Sequence, residues 1–156
     1  MRGLLAFLSL CALSSMASAT SDVERLCERT LEDYAWYSDH PDPEAYGKLF
    51  TEDAVLDVFG PNKGREAIVA RHKNNAKQRR FIHLLSNVRV DIVSTTEARA
   101  TSYVEVYTVP LGDGPHTVAG FAGIGEYHDE LRISEAGCQI AKRKLHMRVL
   151  HREYKP

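Results

Sequence analysis

The spacing of apolar residues changes along the chain, from a mostly helical period to an extended one. In the first half, apolar side chains recur at steps of three and four, which is the spacing of one face of an α-helix. From Phe81 onwards they occur in long extended runs that are separated by turn residues. Helices followed by a meander of strands predict an α+β domain, with the helices packed on one face of a curved antiparallel sheet.

The first helix is predicted over residues 22–39. Its apolar stripe contains Leu31 and Tyr34, and Ser21 or Asp22 can serve as its N-terminal cap. The helix should end before Pro41, because the residue that precedes a proline avoids helical backbone angles.

A second, short helix should follow directly, with Asp42 as its cap and Pro43 in its first turn. A short strand is expected at residues 54–59, followed by a turn that is rich in glycine. A third helix is then expected over residues 65–77. These elements would complete the helical layer of the domain.

Four long strands make up the rest of the predicted sheet. They are expected at residues 81–93, 98–109, 117–129 and 139–152. The third of them contains Gly120, Gly123 and Gly125. Glycine weakens the interior of a strand unless a bend or bulge is needed there. We therefore expect a strongly curved sheet that forms a cone with the helices and encloses a cavity for a small ligand.

The beginning of the chain has the pattern of a secretory signal peptide. Arg2 precedes a short apolar run, residues 4–13, and Ala17-Ser18-Ala19 has the small residues of a cleavage site. The apolar run is shorter than the roughly 20 residues that span a bilayer. We expect residues 1–19 to be removed, which leaves one domain, residues 20–156, secreted or periplasmic and without a membrane anchor.

Composition excludes two classes of partner. The 156-residue chain has a formal net charge of −1, and its basic residues are scattered, so we expect no nucleic acid partner. Its seven histidines do not form the spacing of a metal-binding motif, so no metal is expected either.

Cys27 and Cys138 would both remain after cleavage. In an oxidising compartment they could form a disulfide that links the first helix to the last hairpin. The alternative is a pair of ordinary, half-buried thiols, and the sequence leaves both open.

Tyr34, Asp39 and His83 are the candidate catalytic residues. An imidazole can transfer a proton beside a carbonyl, a carboxylate can fix its tautomer, and a phenol can donate to developing negative charge. Asp42 competes with Asp39 for the role of partner, but Asp42 is better suited to capping the second helix. The ordinary alternatives are a core aromatic for Tyr34 and a structural or solvent-facing histidine for His83.

Alternation along the first long strand does not place His83 on the cleaner apolar face. That face carries Ile82, Leu84, Val88, Val90 and Ile92, whereas His83 shares its face with Phe81, Leu85, Asn87, Arg89 and Asp91. Either a polar pocket lines the mixed face, or a bulge between Leu85 and Val88 changes the parity of the strand.

Two other polar residues are candidates for ligand binding. Arg143 alternates with Leu145 and Met147 on the last strand, so it should point inward and need a carboxylate from a side chain or from an acidic ligand. Asn87 could orient a ligand or close a turn.

An ordered set of short motifs resembles the nuclear-transport-factor-2-like superfamily and, within it, the SnoaL-like group of polyketide cyclases and dehydratases. The motifs are Tyr34-x4-Asp39, Asp42, residues 49–55, residues 64–68, His83-x3-Asn87 and residues 98–103. The resemblance implies a cone-shaped α+β fold. It also implies a homodimer formed through the outer face of the sheet, and no organic cofactor.

Scytalone dehydratase and bile-acid 7α-dehydratase are the useful members for comparison. The resemblance places Tyr34, Asp39 and His83 at their catalytic positions. Scytalone dehydratase also has a second histidine on the next long strand, where this chain offers Tyr103, Glu105 or Tyr107 instead. Together with Arg143, which strand alternation suggested, and Asn87, the residues Tyr103 and Tyr107 make up the expected substrate-binding set.

The function expected from this resemblance is a cofactor-free lyase or isomerase, acting on a small hydrophobic hydroxy or carbonyl compound. The fold also hosts non-catalytic binding domains and assembly modules. An Asp39–His83 contact inside an open cavity that Tyr34 also reaches would favour the enzyme.

Overall fold

The computed structural model describes residues 5–112 and 120–155, with side chains from Ser21 onwards. Within these ranges the chain forms three helices and six strands. The helices are α1 (Leu5–Asp39), α2 (Pro43–Lys48) and α3 (Arg65–Ala76). The strands are β1 (Phe50–Asp57), β2 (Pro61–Lys63), β3 (Arg80–Ile92), β4 (Glu97–Val109), β5 (Gly120–Ser134) and β6 (Gly137–Leu150). The helices cover one face of a single sheet, which confirms the predicted α+β class.

The sheet has the strand order β2-β1-β6-β5-β4-β3 and is not closed. Strands β3 to β6 form the predicted antiparallel meander. The sequence analysis expected a purely antiparallel sheet. Strand β1 pairs with β6 in parallel, so the sheet is mixed instead. The short strand β2, expected only as a turn, pairs with β1 and forms one edge.

Helix α1 starts earlier than the sequence predicted. Ser21 and Asp22 lie inside it and do not cap it, because no proline or glycine interrupts the chain between Gly3 and Pro41. The helix passes through the predicted cleavage site, whose side chains lie outside the described ones, so signal cleavage stays a prediction. No helix in the described ranges has an apolar stretch long enough to cross a bilayer.

The end of α1 and the start of α2 agree with the sequence. Helix α1 ends at Asp39, before Pro41. The Asp42 carboxylate caps α2 by accepting hydrogen bonds from the backbone N–H groups of Glu44 at 3.1 Å and Ala45 at 3.0 Å. Asp42 is therefore used as a cap, and Asp39 remains available for His83.

A β-bulge divides β3 into two halves that use opposite parities. Before it, His83 and Leu85 point towards the helices; after it, Val88 and Val90 do so. The pairing with β4 shifts between Ser86 and Arg89, and Asn87 adopts a left-handed φ of 52°. Of the two alternatives that the sequence left open, the bulge with its change of parity is the one observed, and it lets one strand supply both His83 and a set of core residues.

Glycines in β5 let β6 bend closely over it. A Cβ on Gly125 would lie 2.5 Å from Cδ1 of Leu145, and one on Gly123 would overlap the Val149 carbonyl. The pairing of β5 shifts at this point, between Ile124 and Gly125. The sheet is therefore strongly curved, as predicted, and its concave face is turned towards the helices.

A disulfide joins Cys27 in α1 to Cys138 in β6, with 5.1 Å between their Cα atoms. Next to it, the Thr30 hydroxyl donates to the Cys138 carbonyl oxygen at 2.8 Å. These two connections hold α1 against the strand that carries Arg143.

Candidate functional site

A cavity of about 450 Å³ lies between the helices and the concave face of the sheet. Much of its wall is apolar, with Leu56, Val58, Ile68, Val104, Val106 and Leu145 among the lining residues. Such a wall excludes water from a ligand and strengthens the few polar contacts inside.

Asp39 and His83 meet at one side of this cavity. The Asp39 carboxylate accepts from the backbone N–H of His83 at 2.8 Å, and its other oxygen lies 2.5 Å from His83 Nδ1. Because an ionised carboxylate only accepts hydrogen bonds, Nδ1 is the donor to Asp39, and Nε2 is the ring nitrogen left for a ligand. Among the described residues Nε2 has no hydrogen-bond partner, and the ring lines the cavity.

The backbone explains why these two side chains meet. Asp39 is the last residue of α1, which Pro41 ends, and His83 belongs to the half of β3 that points inward before the bulge. Both side chains are mostly buried, with 14% of Asp39 and 10% of His83 exposed.

Tyr34 lines the same cavity from α1, five residues before Asp39. Its ring packs against Tyr46, Phe50 and Tyr127, with centroid distances of 5.5, 6.1 and 5.8 Å. Tyr34 is therefore a core aromatic and a cavity residue at once.

Tyr46 and Tyr127 also line the cavity, close to Tyr34. Burial raises the pKa of both phenols well above the ordinary value, and the neighbouring Tyr34 raises both further. These two phenols remain protonated at neutral pH and can only act as neutral hydrogen-bond groups.

Arg143 lies fully buried beneath the tyrosines. Its guanidinium donates to the two oxygens of Asp129 at 2.7 and 2.8 Å, and it stacks on the rings of Tyr34 at 4.1 Å and Tyr127 at 4.3 Å. Burial alone would lower the pKa of Arg143, but Asp129 raises it above the ordinary value, so the charge is retained. Arg143 points inward as predicted, but its carboxylate is Asp129 and it does not line the cavity.

Three of the predicted substrate-binding residues lie elsewhere. Asn87 forms the bulge of β3, and it shares a shallow depression on the sheet with the exposed Tyr103. Tyr107 donates its hydroxyl to Glu105. Asn87, Tyr103 and Tyr107 do not line the cavity, to which β4 contributes Val104 and Val106 instead, so the structure does not bring them together with Tyr34 and His83. None of the β4 candidates replaces a second histidine.

The sequence profile of the SnoaL-like domain matches residues 19–144. The chain belongs to the SnoaL-like domain family. No curated protein matches the chain.

Solved structures confirm the nuclear-transport-factor-2-like fold of this SnoaL-like domain. A protein of Novosphingobium aromaticivorans assigned as a scytalone dehydratase is 24% identical, with a TM-score of 0.73 over 85% of this chain and 88% of that one. A protein of the same organism assigned as an aromatic ring hydroxylase is 26% identical, with a TM-score of 0.69 over 80% and 89%. The β subunit assigned to an aromatic-ring-hydroxylating dioxygenase, also from that organism, is 15% identical, with a TM-score of 0.71 over 85% and 94%. The fold is thus shared by proteins assigned to quite different roles.

His72 is a cavity residue of this SnoaL-like domain that the sequence analysis did not single out. It lies on α3, is 7% exposed, and stacks on Tyr46 with ring centroids 4.1 Å apart. Burial lowers the pKa of His72, which favours the neutral ring. Within the described part of the chain, its Nε2 has no hydrogen-bond partner.

A helical pattern could have indicated His72, because it lies four residues after the buried Ile68 on one face of α3. Tyr127 could have been found by parity, because it precedes Asp129 by two residues on the inner face of β5. Among the described side chains, no three potential metal ligands converge.

Proposed function

We propose that this SnoaL-like domain is a cofactor-free lyase or isomerase of the dehydratase type. Its substrate would be a small hydrophobic compound that carries a hydroxyl or carbonyl group. The observation that supports this proposal is the Asp39–His83 contact in an apolar cavity that Tyr34 also lines. A base held in one tautomer beside a water-poor cavity is suited to proton abstraction.

The reaction would begin at His83. Its Nε2 would take the acidic proton on the carbon beside the substrate carbonyl, and Tyr34 would donate a hydrogen bond to the enolate oxygen that develops. Asp39 would stabilise the imidazolium that forms, through the bond to Nδ1.

The same proton would then leave His83. In a dehydration it would protonate the departing β-hydroxyl, so that water is released and a carbon–carbon double bond forms. In an isomerisation it would return to a different carbon of the enolate. Both outcomes balance without a redox step, and therefore neither needs an organic cofactor.

Export is part of the proposal. A disulfide such as Cys27–Cys138 forms and persists in oxidising compartments, which agrees with the signal-like pattern of residues 1–19. Secretion or periplasmic location would be tested by determining the N-terminus of the processed protein, which we expect near Thr20.

A homodimer through the outer face of the sheet is likewise proposed. That face exposes several large apolar side chains, each between 41% and 52% accessible: Ile82, Leu84, Tyr103 and Val149. An apolar patch of this kind on a sheet is typical of an interaction surface.

The deciding experiment is a parallel screen for binding and turnover of hydroxylated carbonyl compounds by the processed protein. The wild type would be compared with His83→Ala and with His128→Ala, which replaces an exposed strand histidine paired with Glu126. We expect His83→Ala to abolish turnover while binding is kept, and His128→Ala to retain both. Binding without turnover by the wild type would overturn the proposal and leave a carrier of small molecules.

A further inference from the structure

The mouth of the cavity carries two arginines. Arg71 on α3 and Arg79 just after it both line the cavity, and both are half-buried. No aspartate or glutamate lies among the described lining residues. The charged side chains among these lining residues are therefore arginines, and the Asp39 carboxylate, which pairs with the lining residue His83, is not one of them.

Neither arginine is neutralised by a carboxylate of the described chain. Arg79 donates to the Lys155 carbonyl oxygen at 3.0 Å, and its guanidinium lies 5.7 Å from the centre of the Tyr154 ring. The side chain of Arg71 forms no hydrogen bond or ion pair with any described residue. Arg65 and Arg80 likewise donate to backbone carbonyl oxygens. Four other arginines pair with a carboxylate: Arg29, Arg132, Arg143 and Arg148.

Tyr154 completes the arrangement at the mouth. It lines the cavity beside Phe59, with ring centroids 6.0 Å apart. Burial raises the pKa of the Tyr154 phenol, whereas the charges of Arg79 and Arg71 oppose that shift. All three side chains line the same cavity, and the Arg79 guanidinium lies against the Tyr154 ring.

We infer that the cavity accepts an amphipathic acid, with an apolar body against the inner walls and an anionic head group, such as a carboxylate, between Arg71 and Arg79. Half-buried guanidinium groups without a counter-ion bind a carboxylate strongly, because they present paired N–H donors and are weakly hydrated. The Tyr154 hydroxyl would supply a further donor. The inference about binding does not depend on catalysis. The position of the reacting group of the ligand rests on the proposed function, because only that function assigns the chemistry to His83.

Matched pairs of acid and primary amide test the inference, because the two members differ little except in charge. The probes are naphthalene-2-acetic acid with naphthalene-2-acetamide, and octanoic acid with octanamide. Binding to the full processed protein would be measured by isothermal titration calorimetry at about 150 mM salt, where nonspecific attraction is screened. We expect at least one acid to bind about tenfold more tightly than its amide.

Two substitutions locate the effect. Arg71→Gln and Arg79→Gln should each reduce the preference for the acid, and the double variant should remove it. Lys73→Gln is the matched control, because Lys73 is an exposed cation on the same helix and does not line the cavity. It should leave the preference unchanged, and unfolding midpoints would confirm that all variants are folded.

Several outcomes would overturn the inference: no binding of either acid, equal binding of acid and amide, or a preference that survives in the double variant. The test is independent of turnover. If His83→Ala still prefers the acid, the acid-binding site is supported whether or not the protein is an enzyme. If in addition the wild type turns over no compound of the screen, the proposed enzyme is contradicted while the acid-binding site stands.

Discussion

Two aspartates of this domain hold a cationic or basic partner with both carboxylate oxygens, and their surroundings differ. Asp129 and Arg143 are directly opposite each other on β5 and β6, and both side chains are 0% exposed. Asp39 and His83 connect the end of α1 to β3, and both side chains remain slightly accessible. One pair is sealed beneath the tyrosines, whereas the other borders the cavity.

The comparison shows that access, more than pairing, separates a structural pair from a candidate reactive one. Arg143 donates two N–H groups to Asp129 and stacks its planar guanidinium on Tyr34 and Tyr127, so it fixes the positions of these two cavity-lining tyrosines. His83 is held as firmly at Nδ1, but its other nitrogen remains available to a ligand. Tyr34 connects the two, because its ring covers Arg143 and its side chain lines the cavity.

Breaking the sealed pair should have the largest effect. Arg143→Leu leaves the Asp129 carboxylate buried without a counter-ion, and we expect it to lower the free energy of unfolding by about 3–5 kcal/mol. Urea denaturation would measure the loss. The double variant Arg143→Leu, Asp129→Leu removes both charges and should recover much of it. A double variant as unstable as the single one would mean that packing, and not the lone charge, dominates.

Breaking the open pair should affect activity more than stability. With a substrate from the screen, Asp39→Asn should lower kcat by about 100-fold or more, or ~2.7 kcal/mol of activation free energy. The reason is that an amide neither fixes the tautomer of His83 as firmly nor stabilises its imidazolium. Steady-state kinetics would measure the loss.

Asp42→Asn is the matched control for Asp39→Asn, because asparagine caps a helix about as well as aspartate. It should leave kcat unchanged. If Asp42→Asn reduced kcat as strongly as Asp39→Asn, the assignment of Asp39 as the partner of His83 would be lost.

His72 sharpens the comparison, because it is a buried base without a carboxylate partner among the described residues. Its pKa in the folded protein lies below the value of about 6.5 in the unfolded chain. Above pH ~6.5 the ring is neutral in both states, and the stability of the neutral form is fully present. As the pH falls, the unfolded chain binds a proton that the folded protein resists, so stability is lost.

Phenylalanine at position 72 can keep the stack on Tyr46 but does not titrate. When the pH is lowered from 7.5 to 5.5, we expect the free energy of unfolding of His72→Phe to fall less than that of the wild type, by up to about 1 kcal/mol. Urea denaturation at the two pH values would measure the difference. His40→Gln, an exposed histidine, should behave like the wild type. Parallel losses in wild type and His72→Phe would show that His72 does not contribute to the pH dependence.

The sequence predicted the fold class and the meander, because periodicity is a local property, and the resemblance to the SnoaL-like group paired Asp39 with His83. It could not predict that β1 pairs in parallel with β6, since pairing between distant strands leaves no local pattern. The start of α1 was also missed. The predicted caps at Ser21 and Asp22 were plausible locally, but a chain without proline or glycine continues the helix.

Site residues were predicted less well where they depend on register. Asp129 becomes the partner of Arg143 only through the pairing of β5 with β6, which the shifts near Gly125 and Leu131 make difficult to count from sequence. Tyr103 and Tyr107 were chosen because they lie on the strand next to His83, although parity on β4 turns them away from the cavity. To predict which residues line a cavity, the face of the strand on which a residue lies is therefore more useful than the identity of the neighbouring strand.

The bulge at Asn87 makes the number of residues in β3 more important than the identity of the residue at that position. Replacing Asn87 by glycine would keep a conformation that tolerates positive φ, and both halves of the strand would stay in place. Deleting Asn87 would restore simple alternation along β3, and every side chain in one half of the strand would then lie on the opposite face of the sheet. Either His83 would then turn to solvent or Val88 and Val90 would leave the core. Insertions and deletions at this point should therefore be tolerated far less than substitutions.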